Sequence, residues 1–377
     1  MRAYGPWAVF GLFWGAWGAS IPAVRDQAGV TDGQLGVALL FIGLGALPAM
    51  AYTGRVVDRW GTRVASLLIA ALGVTGPLMV LGARGLVSLA AGLALLGAAS
   101  GAADVAINAL AAESERLSGR PVIARSHATF SASVVLGSIL AGVLLAVGAP
   151  VVAPFLVVLA GSLVARAGRR SAPAPRREAA PRVNRLMVIG LVAALAFAVE
   201  NAHQSWSAVF LHDVLAAGPG GSAAAPAVFA GIASITRFAL GGLGGRHPGA
   251  VLVAGGAAAV AGTATVAAAN SSALALTGLA VAAAGTAVLY PTLIGAGLSH
   301  VPDAARGRAT SRVATTAYLG FLAGPVYVGF VASHGGLRGA FLAVAALAAL
   351  FAVVAAPVVK VTGAAHIPLK SPGHDRD

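Results

Sequence analysis

Two carboxylates stand inside otherwise apolar stretches of this chain, Asp104 and Glu200. A charged side chain near the centre of a bilayer costs about 2.5–3.5 kcal/mol even on the insertion scale, so it persists where it faces a water-filled cavity, a partner or a transported proton. Glu200 is followed at three and four residues by His203 and Gln204, a spacing that puts all three on one side of a helix. Together they can bind a polyhydroxylated or amine-bearing solute and relay a proton. Trp206 lies off that stripe and offers an aromatic wall or an interfacial anchor. The competing reading of Glu200 is a hydrogen-bond network between helices with no further role. Asp104 has Asn108 one turn on, and Gly97 and Gly101 before it allow a neighbouring helix to come close. It either shares the cavity of Glu200 or pairs with a basic residue such as Arg125. His127 is a further candidate, with Glu113 as its alternative partner. Tyr290-Pro291 sets a hydroxyl beside a helix break, an arrangement common at cavities between membrane helices. Trp14 and Trp17 can line the same space or simply pack.

The elements that must hold these groups are membrane helices. The chain of 377 residues is 58% hydrophobic and 10% charged, whereas soluble domains carry roughly 25% charged residues. Its apolar residues fall in long runs, and a span needs about 20 residues to cross about 30 Å of hydrocarbon. Charge and turn signals divide it into twelve spans: 4–24, 34–53, 64–83, 86–110, 127–147, 150–167, 186–210, 223–243, 249–268, 273–298, 310–333 and 338–359. With both termini in the cytoplasm, only Arg25, Arg84 and Arg338 of the 25 basic residues fall on the far side, as the positive-inside rule requires. That ledger counts Arg237 and Arg246 as charges of cytoplasmic connections. The net charge of +13 is therefore spread over loops, not gathered on one face that nucleic acid could use. There is no cysteine, which excludes disulfides and thiolate metal sites. The first apolar segment is expected to be a retained helix, because Gly18-Ala19-Ser20 is a poor cleavage site.

Residues 1–167 and 186–360 then form two six-helix bundles. They are joined by a proline- and arginine-rich cytoplasmic linker at 168–185 and followed by a short cytoplasmic tail at 361–377. Between the second and third spans runs Gly54-Arg55-Val56-Val57-Asp58-Arg59-Trp60-Gly61-Thr62-Arg63. This segment resembles the G-x-x-x-D-R-x-G-x-R/K signature of the major facilitator superfamily, in the loop where that family carries it. The resemblance implies a gating latch made by Gly54, Asp58, Arg59, Gly61 and Arg63. Glycines there permit a tight turn, and Asp58 at a helix end can pair with an arginine or cap a neighbouring helix. The corresponding segment of the second half, Gly241 to Gly249, keeps glycines and Arg246 but lacks the acid. Asp104 to Asn108, Glu113, Gly119-Arg120-Pro121, Ser126-His127-Ala128, Glu200-Asn201-Ala202, Trp206 to Leu211 and Tyr318 to Pro325 are similar to the MosC-like, rhizopine-transport subgroup. This chain departs from the subgroup at Asn201-Ala202-His203-Gln204-Ser205 before the tryptophan, so substrate identity does not carry over.

The resemblance implies an all-α fold of twelve helices in two pseudo-symmetric bundles, with a solute bound between them near the midplane. The expected activity is secondary transport by alternating access, coupled to protons, in the cytoplasmic membrane of a bacterium. The carried solute would be small, polyol- or drug-like, and the protein a monomer without cofactor or metal. A uniporter or exporter without proton coupling is the alternative, and a non-transporting sensor or membrane enzyme a further one. The last lacks any nucleophile motif or metal cluster in the sequence.

Overall fold

The structure, a computed structural model, describes residues 4–165, 184–240, 243–299, 301 and 303–363. Arg2 and most of the expected linker 168–185 and tail 361–377 lie outside the described residues. Every element among those residues is helical: α1 Tyr4–Ala28, α2 Asp32–Trp60, α3 Val64–Gly82, α4 Leu86–Ser118, α5 Val122–Ala146, α6 Ala153–Val164 and α7 Asn184–Asp213, then α8 Pro219–Leu240, α9 Leu243–Arg246, α10 Pro248–Ala268, α11 Ser272–Ala287, α12 Leu289–Gly297 and α13 Asp303–Gly363.

These thirteen stretches amount to the expected twelve spans. The turn α9 is too short to cross. Helices α11 and α12 form one apolar span, Ser272–Gly297, broken at Val288. Helix α13 is two spans, because Gly336 (φ 67°, ψ 172°) leaves the helical region and turns the chain back. A positive φ of this kind is open to glycine at little cost. The sixth span is shorter than expected, with only Ala153–Val164 helical after the turn at Gly148 (φ 79°).

Several boundaries shift for local reasons. Thr31 and Gln34 form a reciprocal capping box that starts α2, with the Thr31 amide donating to Gln34 Oε1 at 3.0 Å. At its other end α2 runs to Trp60, so residues 54–60 of the signature are helix and not loop. The turn itself is confined to 61–63, where Gly61 takes φ 74° and its amide donates to Val57 O at 2.8 Å. The tight-turn role therefore belongs to Gly61; Gly54 sits within the helix, with nothing near its Cα that a side chain would meet.

Packing repeats between the halves. In the first, α1 lies on α5, α2 on α4, and α3 on α4 and α6. In the second, α7 lies on the first limb of α13, α8 on α11, and α10 on α11 and the second limb of α13. The span pairs 1/5, 2/4, 3/4 and 3/6 thus recur as 7/11, 8/10, 9/10 and 9/12, the signature of an internal duplication. Lipid chains give little hydrophobic drive between helices, so close backbone approach through small residues does much of the work. A Cβ on Gly97 would overlap the Ile42 carbonyl across α2 and α4, and one on Gly320 would overlap the Ala194 carbonyl across α7 and α13.

Because those obstacles are backbone, they cannot swing aside. Replacing Gly97 or Gly320 by leucine is expected to destabilise by about 1–3 kcal/mol or more, read as a lowered thermal midpoint of the purified protein. Gly82→Ala, where a Cβ meets nothing within 4 Å, should leave the midpoint nearly unchanged.

Candidate functional site

A cavity of about 360 Å³ lies where the two halves meet. It adjoins a wider one of about 1000 Å³. Both are lined by Phe130, Glu200, Gln204, Arg237, Tyr318 and Phe321, so the two form one space with walls from α5, α7, α8 and α13. Asp104, Trp14 and Trp17 line the narrower part; His127 and Tyr290 line the wider part.

Glu200 is fixed by two donors on one oxygen. Arg237 Nη2 donates to Oε1 at 2.7 Å and Gln204 Nε2 donates to the same atom at 3.3 Å. No protein donor among the described residues reaches Oε2, which remains available to a solute or a proton. Arg237 is held in turn by its Nε, which donates to the Ala287 carbonyl at 3.2 Å. That carbonyl is unclaimed within its own helix for a covalent reason. Its ordinary partner would be the amide four residues on, and residue 291 is proline, which has none. The Tyr290-Pro291 pair thus breaks the span and frees a backbone acceptor for a guanidinium. Tyr290 packs its ring on Phe197 with centroids 4.4 Å apart.

Arg237 is the residue the positive-inside ledger misplaces. It counts as a loop charge there, yet it sits inside α8 on the cavity wall with 44% of its side chain exposed. The available signal was its position within its own expected span, 223–243, where a basic residue needs a partner.

The helical-stripe expectation divides at His203. Positions three and four residues on from Glu200 lie about 100° apart on the helix, and only Gln204 turns to the cavity. His203 is buried between Phe229 and Phe341, with Nδ1 2.7 Å from Val199 O and Nε2 3.0 Å from Thr263 Oγ1. It joins α7 to α10 and lines neither cavity. Trp206 is fully buried on the same side, its Nε1 without a partner among the described residues. Asn201, on the cavity wall, donates to the Phe321 carbonyl at 2.6 Å and ties α7 to α13.

In the first half, Asn108 Nδ2 donates to Asp104 Oδ1 at 3.0 Å and so orients that carboxylate without lining the cavity itself. Among the described residues no basic side chain pairs with Asp104, Arg125 included. His127 stacks on Trp7 with ring centroids 4.6 Å apart, while Glu113 accepts from Thr62 Oγ1 at 2.7 Å. The alternative partners expected for Asp104 and His127 are therefore not the ones these acids and rings take. Asp58 and Arg59 are exposed at the end of α2, with no ion pair among the described residues.

One end of the space is spanned by an ionic cluster. Arg25, at the end of α1, donates to Asp32 at 2.9 Å, to Asp26 at 2.9 Å and to both oxygens of Asp213 at the end of α7. His212 Nδ1 stands 2.7 Å from Asp213 and Nε2 4.0 Å from Asp26. Beside this cluster, Gly36 of α2 faces Gly329 of α13 so closely that a Cβ on Gly329 would come within 2.8 Å of Gly36 Cα. Across the molecule, Gly142 of α5 meets Ala223 of α8. At the other end, which carries the 61–63 turn, the wider cavity reaches Ala124 and Ala239. The sequence records Arg25 only as an exception to the charge bias. Asp26 and Asp32 are its near neighbours in sequence, but nothing in the spacing brings Asp213, 188 residues on, to it.

Comparison with known proteins gives the family. The family model described as Major Facilitator Superfamily matches residues 7–303 and 245–373. An uncharacterized transporter of Sinorhizobium fredii, y4wD, is 30% identical over 369 residues, 93% of this chain and 95% of that one. Membrane protein MosC of Rhizobium meliloti is 31% identical over 134 residues, 36% of this chain and 33% of MosC. Among solved structures, the nucleoside transporter NupG superposes with a TM-score of 0.74 at 13% identity, covering 95% of this chain and 98% of that chain.

The hold on Arg237 can be measured by a double-mutant cycle on Glu200 and Arg237. Removing one partner of a buried pair costs about 3–5 kcal/mol, and an exposed pair is worth roughly 0–1 kcal/mol. Arg237 opens to cavity water, so Arg237→Ala is expected to cost about 1–3 kcal/mol in thermal stability. Part of that loss should return when Glu200→Gln is added. Strict additivity would show that the two groups do not interact.

Proposed function

The chain belongs to the major facilitator superfamily, and on that premise we propose that it is a proton-coupled secondary carrier of a small solute. It works by alternating access in the cytoplasmic membrane of a bacterium, as a monomer with both termini inside. The observation that carries this reading is the cavity between the halves, clasped at one end by the Arg25 cluster and reaching Ala124 and Ala239 at the other. With the termini inside, the clasped end faces outward and the other end faces the cytoplasm. Rocking of residues 1–167 against 186–360 would part Arg25 from Asp213 and close the cytoplasmic end.

Within this scheme Glu200 is the principal proton or solute site. Its Oε2 faces incoming ligand while Oε1 keeps Arg237 and Gln204 in place. Protonation would remove the charge that holds Arg237, which gives the guanidinium a reason to move within the cavity. Asp58 and Arg59 serve as the cytoplasmic latch. Their exposure at that end fits a latch that has been released.

Two measurements test the scheme. The chain has no native cysteine, so single cysteines report access without background. Ile21→Cys, deep in the narrow cavity, should react slowly with an impermeant maleimide added outside. Adding Arg25→Ala should speed that reaction about tenfold, a shift of about 1.4 kcal/mol toward the outward-open form; an unchanged rate would remove the clasp from the mechanism. In proteoliposomes under an imposed pH gradient, uptake of a radiolabelled amine and polyol panel should lose its gradient dependence in Glu200→Gln. If that variant kept its coupling, Glu200 would not be the proton site, and gradient-independent flux in the native protein would favour a uniporter.

A further inference from the structure

We propose that the carried solute is a small organic monocation, a protonated amine on an aromatic or alicyclic body, and that Asp104 is the residue that selects it. The inference rests on the carrier reading above and names the class of solute for the same cavity.

The charges on the cavity wall do not balance. Among the described lining residues of the narrow part, the carboxyl and guanidinium side chains are Asp104, Glu200 and Arg237. Glu200 and Arg237 neutralise one another at 2.7 Å on the wall made by α7 and α8. Asp104, on α4 in the other half, has an amide from Asn108 and no cation. One negative charge is therefore left over, facing a space bounded mostly by apolar groups. A bound anion would meet that charge unshielded, and a neutral solute would leave it uncompensated. A cation supplies the missing partner.

The remaining wall suits the same class. Trp14, Trp17, Phe130, Tyr318 and Phe321 all border the narrow cavity. Aromatic rings attract cations through their quadrupoles and pack on apolar or ring bodies. The volume, about 360 Å³, lies at the low end of small-molecule pockets, roughly 300–1,000 Å³. The part beside Asp104 thus has room for one ring with a short amine arm. Placement also matters for carriage. The lone acid is on the first half and the Glu200–Arg237 pair is on the second, so a cation held at Asp104 touches both halves only when its body lies on α7 and α13. Such a solute bridges the bundles that must move.

The test uses purified full-length protein and three related probes: 2-phenylethylammonium, its neutral counterpart 2-phenylethanol, and the anion 3-phenylpropionate. Binding is read by quenching of tryptophan fluorescence, to which Trp14 and Trp17 report from the cavity wall, and by thermal stabilisation. The ammonium probe is expected to bind at least tenfold more tightly than the alcohol, and the anion more weakly than either. Asp104→Asn should reduce the cation-to-neutral preference to within about threefold while alcohol binding and an unaltered melting profile show that the protein still folds. Asp104→Glu should restore a preference.

No cation preference in the native protein, including no binding by either probe, overturns the proposal, as does a preference that survives Asp104→Asn. Flux of the radiolabelled amine in proteoliposomes separates this from the carrier reading. A preference that depends on Asp104 without any flux upholds the cation site and overturns carriage; flux without a cation preference does the reverse.

Discussion

A guanidinium at membrane depth can persist only if its donors meet acceptors, and the cavity is organised around the way Arg237 meets that demand. A single carboxylate oxygen on α7 answers one of its nitrogens, and a backbone carbonyl answers another. Backbone carbonyls in a membrane helix are normally consumed within the helix, since unsatisfied groups are costly in hydrocarbon. Pro291 releases this one by lacking the amide that would take it. The same substitution of an imino acid for an amino acid breaks the span at Val288, and Tyr290 lies on Phe197 just beyond the break. One covalent feature thus sets the helix break and the arginine anchor. Through Arg237 it also sets the orientation of Glu200.

Around this centre the bundles are assembled by proximity. Within each half, glycines such as Gly97 and Gly320 bring whole backbones into contact, and nothing soft intervenes. Between the halves the contacts are of a different kind. Gly36 meets Gly329 and Gly142 meets Ala223, both near the clasped end, and the Leu322 side chain of α13 fits against Gly43 of α2. Small residues let two surfaces approach and separate without unthreading knobs from holes. The interface between the halves is held by these small-residue contacts, by Leu322 and by the Arg25 cluster. A rigid pair of bundles with a weakly committed seam is what rocking requires.

The sequence reveals the span count and the duplicated plan because both follow from the bulk physics of apolar length and loop charge. Where it falls short, the missing information is rotational or long-range. Spacing alone cannot separate His203 from Gln204, since both fall within a broad helical face. The choice is made by Phe229, Phe341 and Thr263, which come from other helices. Arg237 was visible as a basic residue within an apolar run, but its acceptor is a carbonyl freed by a proline 54 positions later in the chain. The 54–63 segment is legible as a motif and not as a shape, because the helix continues through Asp58 and only Gly61 turns. The exceptions to the charge bias are instructive as well. Arg25 is captured by three aspartates, and Arg338 donates to the Ala267 carbonyl at 2.7 Å while lying 5.8 Å from the Phe210 ring centre. A cation bound this firmly acts as a structural part, and it no longer informs topology as a loop charge does.

The two ends of the molecule also differ in the kind of electrostatics they use. At the clasped end one arginine serves carboxylates from α1, α2 and α7, so acids outnumber the cation, and His212 is the nearby group able to add positive charge. Such a cluster holds the halves together only while Arg25 of α1 reaches Asp213 of α7; once the halves part, Arg25 keeps Asp26 and Asp32 of its own half and Asp213 is left to water. At the other end, Asp58 and Arg59 are exposed on a helix terminus with no ion pair among the described residues. In an alternating carrier both sets cannot be engaged together, because the movement that closes one end opens the other. The energy difference between the two forms then rests on a few ionic contacts at the two ends, and a solvent-screened contact is worth little on its own. A small difference of that kind is one that a single bound solute, or one proton on a cavity carboxylate, is large enough to reverse.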